Sequence, residues 1–207
     1  MKFLTQATDP PVWEARLEAL TGRLAFDIGA NGGNVTRAFA AHFEKVVSIE
    51  PCAESFAQLE ATAAENVTPI QMAVSAKTGT VTLQESALSI ASGQLTSPGP
   101  TLDWGDVIGY REVPATTVDD LAYLYGWPDV VKIDTEGHEA EVLRGAPETL
   151  ARRETAWYLE IHSKDLGVEC ASILIDAGYV LQLVRHPFYH RLHNPGLYTG
   201  HYYLAAT

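Results

Sequence analysis

The residues best suited to chemistry lie in a glycine-rich turn near the start of the chain, Asp27-Ile28-Gly29-Ala30-Asn31-Gly32-Gly33. Such a turn between a strand and a helix lets a ligand approach the backbone, with the helix N-terminus facing it. A nicotinamide-dinucleotide fingerprint requires Gly-x-Gly-x-x-Gly, but Asn31 and Asn34 occupy its second and third glycine positions. The carboxylate of Asp27 also disfavours a pyrophosphate, because like charges repel. The turn therefore favours a cationic ligand.

A second acid, Glu50, ends the next predicted strand and precedes Pro51. At the carboxyl end of a strand in a doubly wound sheet, an acid is placed to accept hydrogen bonds from ribose hydroxyls. A ribose joined to a positively charged group without phosphates describes S-adenosylmethionine (SAM). The structural alternative is that Asp27 and Glu50 only cap helices.

Further acids and a histidine follow two later predicted strands. Asp134 ends an apolar run, and Glu136 and Glu139 follow on the next turn. Glu160 and His162 alternate with apolar residues, so both point to the same face at a strand end. A histidine flanked by acids can act as a base near neutral pH, so we expect His162 to be the base and Asp134 or Glu136 to orient an acceptor. First-turn acids of a helix and a core histidine are the structural alternatives.

Three histidines near the end of the chain, His186, His190 and His193, have a spacing that would bring them to one helical face as metal ligands. Pro187 and Pro195 argue against a regular helix, and no acid lies within the segment. A rim of the acceptor pocket and a solvated hairpin loop are the other interpretations.

The order of predicted elements is what positions these residues. Apolar runs and amphipathic periods alternate as strand, helix, strand and helix over 24–65, which predicts right-handed βαβ units and a parallel sheet. Further strands are predicted at 69–74, 80–83, 112–116, 129–134, 156–162, 179–184 and 201–205. We predict one domain over 1–207, an α/β doubly wound, Rossmann-like sheet of seven strands, six of them parallel and the last antiparallel.

Two segments lie outside this alternation. Residues 11–20 have the apolar spacing of an amphipathic helix that caps the domain. Residues 86–110 are rich in Ser, Gly, Pro and Thr, which predicts an irregular insertion that acts as a lid over the acceptor pocket.

Composition narrows the class of partner. The 207 residues include 26 acids and 14 bases, for a net charge of −12, which disfavours nucleic acid as a partner. No signal-peptide pattern and no run of eighteen apolar residues is present, so we expect neither secretion nor a membrane. Cys52 and Cys170 have no metal-site spacing and indicate reduced thiols in the cytoplasm. The oligomeric state cannot be read from these patterns.

With these motifs, the chain resembles the class I SAM-dependent methyltransferases and, among them, the FkbM family, over residues 24–163. The Lys-Ile-Asp-x-Glu-Gly stretch is the specific part of the resemblance, and an apolar residue is more usual in the family at the position of His138. The residues that carry it are the glycine turn, Ser48-Ile49-Glu50-Pro51, Ala73-Val74-Ser75, Val118-Asp119-Asp120-Leu121, the run from Val131 to Ala146, and Glu160-Ile161-His162.

The resemblance implies a class I methyltransferase fold that binds SAM and releases S-adenosylhomocysteine (SAH). It also implies methylation of a hydroxyl on a small molecule such as a sugar, a polyketide or another metabolite. The expected catalytic residues are His162, Asp134, Glu136 and Glu160. The expected cofactor-binding residues are Asp27, Gly29, Asn31, Gly33, Glu50, Pro51, Met72, Ala73 and Asp134.

Three alternatives stay open at this point. A metal-assisted O-methyltransferase would use Asp134 with Glu136 or Glu160 as carboxylate ligands of magnesium. A catalytically silent SAM-binding protein would keep the two cofactor acids without any transfer. An NAD-dependent reductase is disfavoured by the asparagine and the acid in the glycine turn.

Overall fold

The computed structural model describes residues 17–86, 89–95, 107–184 and 202–207. Residues Leu24 to Ile28 of the first strand are all buried, as expected for a short apolar run in the middle of a sheet. The first elements alternate as the sequence predicts: β1 (Gly22–Ile28), α1 (Asn34–Ala40), β2 (Phe43–Ile49), α2 (Ala53–Ala61) and β3 (Val67–Ile70).

The second half of the chain extends the same sheet. The side chains of Thr117 and Ser163 each accept a hydrogen bond from a first-turn backbone N–H, which fixes where the two longer helices begin. Four strands follow β3 in the chain: β4 (Ala73–Val74), β5 (Gly79–Ser86), β6 (Ser89–Leu95) and β7 (Val107–Thr116). The elements after them are α3 (Val118–Tyr125), β8 (Val130–Ile133), α4 (Glu139–Arg144), α5 (Pro147–Arg152), β9 (Ala156–Ile161), α6 (Lys164–Asp176), β10 (Leu181–Val184) and β11 (Tyr202–Ala206).

The large sheet has seven strands in the order β10-β11-β9-β8-β1-β2-β3. The strand β11 is antiparallel to both of its neighbours, and the other six strands run in one direction. This confirms the predicted doubly wound sheet with a single antiparallel strand. Strand order reverses between β1 and β8, and a crevice forms at such a point outside the carboxyl ends of the strands.

Helices cover both faces of this sheet. Along β1, Ala25 packs in one apolar cluster and Phe26 packs in another, because successive side chains of a strand point to opposite faces. Phe39 of α1 belongs to the first cluster, and Leu174 of α6 belongs to the second. The buried layers on both sides hold the strand ends in fixed positions.

A second sheet is the main departure from the sequence prediction. It contains β4 (Ala73–Val74), β5 (Gly79–Ser86), β6 (Ser89–Leu95) and β7 (Val107–Thr116), in the order β4-β7-β5-β6. The predicted irregular structure over 86–110 is therefore wrong for β6 and for the first residues of β7. The physical reason is the ladder between β5 and β7, whose register extends from Gly79 opposite Ala115 to Ser86 opposite Val107. Residues 87–88 and 96–106 lie outside the described ranges, and the role as a lid stays a prediction.

Two other predictions fall outside these ranges, in part or completely. Leu17 and Glu18 are helical, whereas Ala19 and Leu20 lie beyond the end of the helix, so the predicted end at residue 20 is wrong by two residues; residues 11–16 lie outside the described ranges. His186, His190 and His193 belong to a segment that is not described. Within the described residues, no helix is long and apolar enough to cross a membrane.

Candidate active site

The carboxyl ends of β1, β2, β8 and β9 lie side by side, because these strands are parallel and follow one another in the sheet. The segments that leave these strands carry Gly29, Glu50, Asp134 and His162. The fold therefore gathers the sequence-predicted residues at one edge of the sheet, around the point where strand order reverses.

The glycine turn is held against the end of β8. Gly29 has a φ of 72°, and a Cβ at this position would lie 1.8 Å from the carbonyl oxygen of Asp134, so only glycine fits. The N–H groups of Gly29 and Ala30 donate to the carbonyl oxygen of Ile49, at 2.9 and 3.0 Å. Asn31 has a φ of 49°, a left-handed conformation that asparagine tolerates better than most residues. The turn is thereby fixed to both neighbouring strands.

Glu50 connects this turn to the start of α2. One carboxylate oxygen accepts a hydrogen bond from the N–H of Asn31, and the other accepts one from the N–H of Cys52, both at 2.8 Å. Only 6% of Glu50 is exposed. Burial raises the pKa of Glu50 from 4.5 to about 7, although the two backbone hydrogen bonds hold it down.

A pocket with about 490 Å³ of empty space, open solvent included, lies between the glycine turn and the segment after β8. Ile49 and Val74 contribute apolar surface to its wall, and Glu136 borders it. Asp27 and Gly33 are not among its lining residues. The expected cofactor-binding residues that line it are Gly29, Asn31, Glu50, Pro51, Met72, Ala73 and Asp134.

Asp27 is fully buried beneath the turn, where its charge is already paired. Its carboxylate accepts a hydrogen bond from the hydroxyl of Thr36 at 2.6 Å and lies 3.1 Å from Nζ of Lys132. The same ammonium donates to the carbonyl oxygen of Gly29 at 2.7 Å and lies 3.5 Å from Asp134. Burial lowers the pKa of Lys132, but the two carboxylates outweigh it and raise that pKa above its usual range. Asp27 thus supports the turn from below, instead of facing a cationic ligand.

Lys132 was not among the site residues predicted from the sequence, although it lies next to two of them. A lysine between apolar neighbours in a short buried strand was the available signal, because a buried ammonium needs a partner. In the structure, Lys132 joins the glycine turn of β1 to the first carboxylate after β8.

His162 is held from one side by Glu139, the first residue of α4. The ring atom Nδ1 lies 3.0 Å from a carboxylate oxygen of Glu139, whose side chain is fully buried. The same oxygen accepts hydrogen bonds from the N–H groups of Gly137 at 2.9 Å and Thr135 at 3.2 Å. Glu139 thus fixes the turn before α4 through these hydrogen bonds, places a negative charge at the N-terminus of that helix, and orients the imidazole.

The other ring nitrogen of His162 faces the two acids that border the pocket. Nε2 lies 3.1 Å from Glu136 Oε2 and 3.6 Å from Asp134 Oδ1. Burial lowers the pKa of His162, but the carboxylates of Glu139 and Glu136 hold it well above its ordinary value. His162 keeps its proton at neutral pH under these conditions, which favours a positioning role over the predicted role as a base.

Glu160 completes the acidic surroundings. Burial, together with the negative charge of Asp134, raises the pKa of Glu160 to about 8, against the lowering effect of His162 and Lys132. Neither Glu160 nor His162 lines the pocket, whereas Asp134 and Glu136 do. Of the four expected catalytic residues, Asp134 and Glu136 are therefore the two that border the pocket.

His138 is an unusual residue within an otherwise regular motif. It is buried, and its Nε2 lies 2.9 Å from the hydroxyl oxygen of Ser75. Burial lowers the pKa of His138, which favours the neutral ring. This contact joins the turn after β8 to the segment after β4, next to the pocket residue Ala73.

Comparison with models of protein families identifies the family of this chain. The model of the methyltransferase FkbM domain matches residues 27–181. The chain belongs to the FkbM methyltransferase domain family. This confirms the class expected from the sequence, a SAM-dependent methyltransferase domain with SAM as its cofactor. Among curated proteins, the comparison found no match.

Three similar solved structures show the same fold. An FkbM methyltransferase from Methylobacillus flagellatus has a TM-score of 0.65 and 15% identity, over 96% of this chain and 48% of that one. This chain thus spans about half the length of that protein. Precorrin-6y C5,15-methyltransferase from Geobacter metallireducens has a TM-score of 0.51 and 16% identity, over 99% of this chain and 92% of that one. Aeropyrum pernix fibrillarin, crystallised with natively bound SAM, has a TM-score of 0.53 and 12% identity, over 94% of this chain and 73% of that one.

The residues around the pocket fit SAM. Glu50 offers a buried carboxylate for ribose hydroxyls, and Ile49, Met72 and Val74 offer apolar surface for an adenine ring. The backbone of Gly29 borders the same pocket.

Proposed function

We propose that this protein is an O-methyltransferase that uses SAM to methylate a hydroxyl group on a small molecule, such as a sugar or a secondary metabolite. The observation that carries the proposal is a single pocket bordered on one side by Glu50 and the glycine turn, and on the other by the carboxylates of Asp134 and Glu136. A carboxylate accepts a hydrogen bond from a hydroxyl and can take its proton. The net charge of −12 supports a small acceptor over a nucleic acid.

On the cofactor side, Glu50 would hold the ribose, and the backbone of the turn around Gly29 and Asn31 would border the rest of the molecule. Bound SAM supplies a methyl group that its sulfonium already activates for transfer. The protein therefore has to align an oxygen atom behind that methyl group and remove the proton of the hydroxyl.

On the acceptor side, Asp134 and Glu136 would hold the hydroxyl and orient its oxygen. One of the two carboxylates would take the proton of the hydroxyl as the methyl group passes from the sulfur of SAM to the acceptor oxygen, and SAH would be the other product. Lys132 fixes the position of Asp134, and His162, held by Glu139, fixes Glu136. Glu160, with a pKa of about 8, would be mostly protonated at neutral pH and would leave the negative charge on Asp134 and Glu136.

The test is transfer of a labelled methyl group from SAM to a panel of sugars, phenols and other hydroxylated compounds. We expect an alkali-stable methyl ether on at least one acceptor. Asp134→Asn and Glu136→Gln should each lower kcat about 100-fold while SAH still binds. Glu141→Gln, on the same helix as Glu139 but paired with Arg144, is the matched control.

Label on nitrogen, or a methyl ester that alkali removes, would contradict O-methylation. Binding of SAH without transfer to any acceptor would indicate a silent SAM-binding protein.

We place the enzyme in the cytoplasm, because Cys52 and Cys170 are both buried as thiols, which suits a reducing compartment.

A further inference from the structure

We propose that Asp134, Glu136 and His162 bind one divalent transition-metal ion at the edge of the cofactor pocket. One ligand atom from each residue lies within 4.8 Å of the other two. Around an octahedral ion with ligands at about 2.1 Å, adjacent ligand atoms are about 3 Å apart and opposite ones about 4.2 Å apart. The distances from His162 Nε2 to Glu136, 3.1 Å, and to Asp134, 3.6 Å, match adjacent positions with little movement.

The imidazole is already oriented for this role. Glu139 accepts at Nδ1 of His162, at 3.0 Å, and Glu139 is itself fixed by the N–H group of Gly137. A metal-binding histidine usually donates its other ring N–H to a carboxylate, which selects the tautomer with a lone pair toward the metal. In the metal-bound protein that lone pair would be on Nε2, which lies close to both acids.

A separate observation also points to a cation. Oε2 of Glu136 is buried, and it faces Nε2 of His162 at 3.1 Å. A buried carboxylate is costly unless a positive charge satisfies it, and either the protonated imidazole or a metal ion between the two residues can supply that charge. The carboxylates of Asp134 and Glu139 lie beside the same imidazole, so a divalent ion would balance more of this charge than a single proton on the ring does.

The donor set indicates which ion. Two carboxylates with one imidazole suit a transition metal such as Mn²⁺ better than Mg²⁺ or Ca²⁺, which prefer oxygen ligands throughout. Asp134 and Glu136 border the pocket, so the remaining coordination positions face the space that an acceptor would enter. An ion there would bind the acceptor oxygen and ease the loss of its proton. This last role depends on the proposed function, whereas metal binding itself does not.

The experiment is a titration of chelator-treated full-length protein with Mn²⁺ alone, followed by electron paramagnetic resonance. We expect one ion per chain. Glu136→Gln and Asp134→Asn should each weaken binding at least 30-fold, and Glu141→Gln should leave it unchanged. No binding in the millimolar range, or equal affinity in all four proteins, would overturn the proposal.

A second measurement identifies the histidine. Electron spin-echo modulation from ¹⁴N should appear in the Mn²⁺ complex and disappear in His162→Gln, with folding checked by circular dichroism. Modulation that persists would assign the ion to another histidine and overturn the site. Glu136→Gln keeps the test valid if the histidine variant does not fold, because Glu136 is partly exposed.

The two proposals fail in different ways. Methyl transfer that continues in excess chelator, without Mn²⁺ binding, would remove the metal site and leave the O-methyltransferase. Mn²⁺ binding without transfer to any acceptor would leave the metal site and remove the proposed activity.

Discussion

The proposed contact between Glu50 and the ribose predicts that SAH binding depends on pH. The carboxylate is buried, and its pKa is about 7, so it changes charge within the range where the protein can be studied. Its two oxygens each accept a backbone N–H and have lone pairs left for ribose hydroxyls. Protonation turns one acceptor into a donor. Affinity for SAH should therefore fall as the pH falls.

The magnitude follows from the fraction of Glu50 that is ionised. With a pKa of about 7, that fraction is about nine tenths at pH 8 and about one tenth at pH 6. If the ionised form alone binds well, the Kd for SAH rises about tenfold between these pH values, or about 1.4 kcal/mol. Isothermal titration calorimetry at pH 6, 7 and 8 measures this change.

The amino group of SAH also titrates, so the comparison needs a variant. Glu50→Gln keeps the shape of the side chain but removes the ionisable group. We expect it to bind SAH about 10- to 100-fold more weakly at pH 8, because it loses a charge-assisted hydrogen bond. The ratio of the two Kd values should then shrink toward pH 6. A ratio that stays constant from pH 6 to pH 8 would refute the assignment of Glu50 to the ribose.

Three further predictions concern single residues. Gly29→Ala should lower the free energy of unfolding, measured in urea, by more than about 2 kcal/mol, because the new Cβ would meet the carbonyl oxygen of Asp134. The control Gly109→Ala, whose Cβ would have its nearest atom 3.4 Å away, should change this free energy by less than about 1 kcal/mol. Equal losses in the two variants would contradict the prediction. Lys132→Met should lower the free energy of unfolding by about 3 to 5 kcal/mol, because it leaves the buried carboxylate of Asp27 without its ion-pair partner. Adding Asp27→Asn should restore part of this stability. No recovery in a urea titration would show that the two residues do not stabilise each other. His162→Asn should keep SAH affinity and lower kcat about 100-fold with little change in KM; near-normal kcat with a lower Tm would indicate a structural residue.

The large sheet was predictable because its strands are short apolar runs with clear boundaries. The run that became β8 contains Val130, Val131 and Ile133, all buried, and the strand ends where the first acid appears. Residues that follow the strands of a parallel sheet meet at one edge, so Glu50 and Asp134 could be assigned to one site without coordinates.

The second sheet was not predictable in the same way. The strand β6 has the sequence SIASGQL, which lacks the alternation of a half-buried strand. Its order depends on pairing with β5, and β5 in turn pairs with β7, a strand that starts more than twenty residues further along the chain. Such ladders are long-range contacts, and local composition does not encode them.

The details of the site depended on contacts of the same kind. The sequence placed His162 at a strand end but did not indicate that Glu139, on another element, holds its Nδ1. It also gave Asp27 a ligand to face, whereas Lys132 and Thr36 surround that carboxylate. Residue types and strand ends identified the members of the site, and packing decided which of them face the pocket.

The most direct test of the whole account is a crystal structure of the protein with SAH bound. We expect both ribose hydroxyls within about 3 Å of the Glu50 carboxylate, and the sulfur on the side of the pocket that Asp134 and Glu136 border. SAH bound elsewhere, or Glu50 bonded only to the N–H groups of Asn31 and Cys52 with the ligand present, would contradict it.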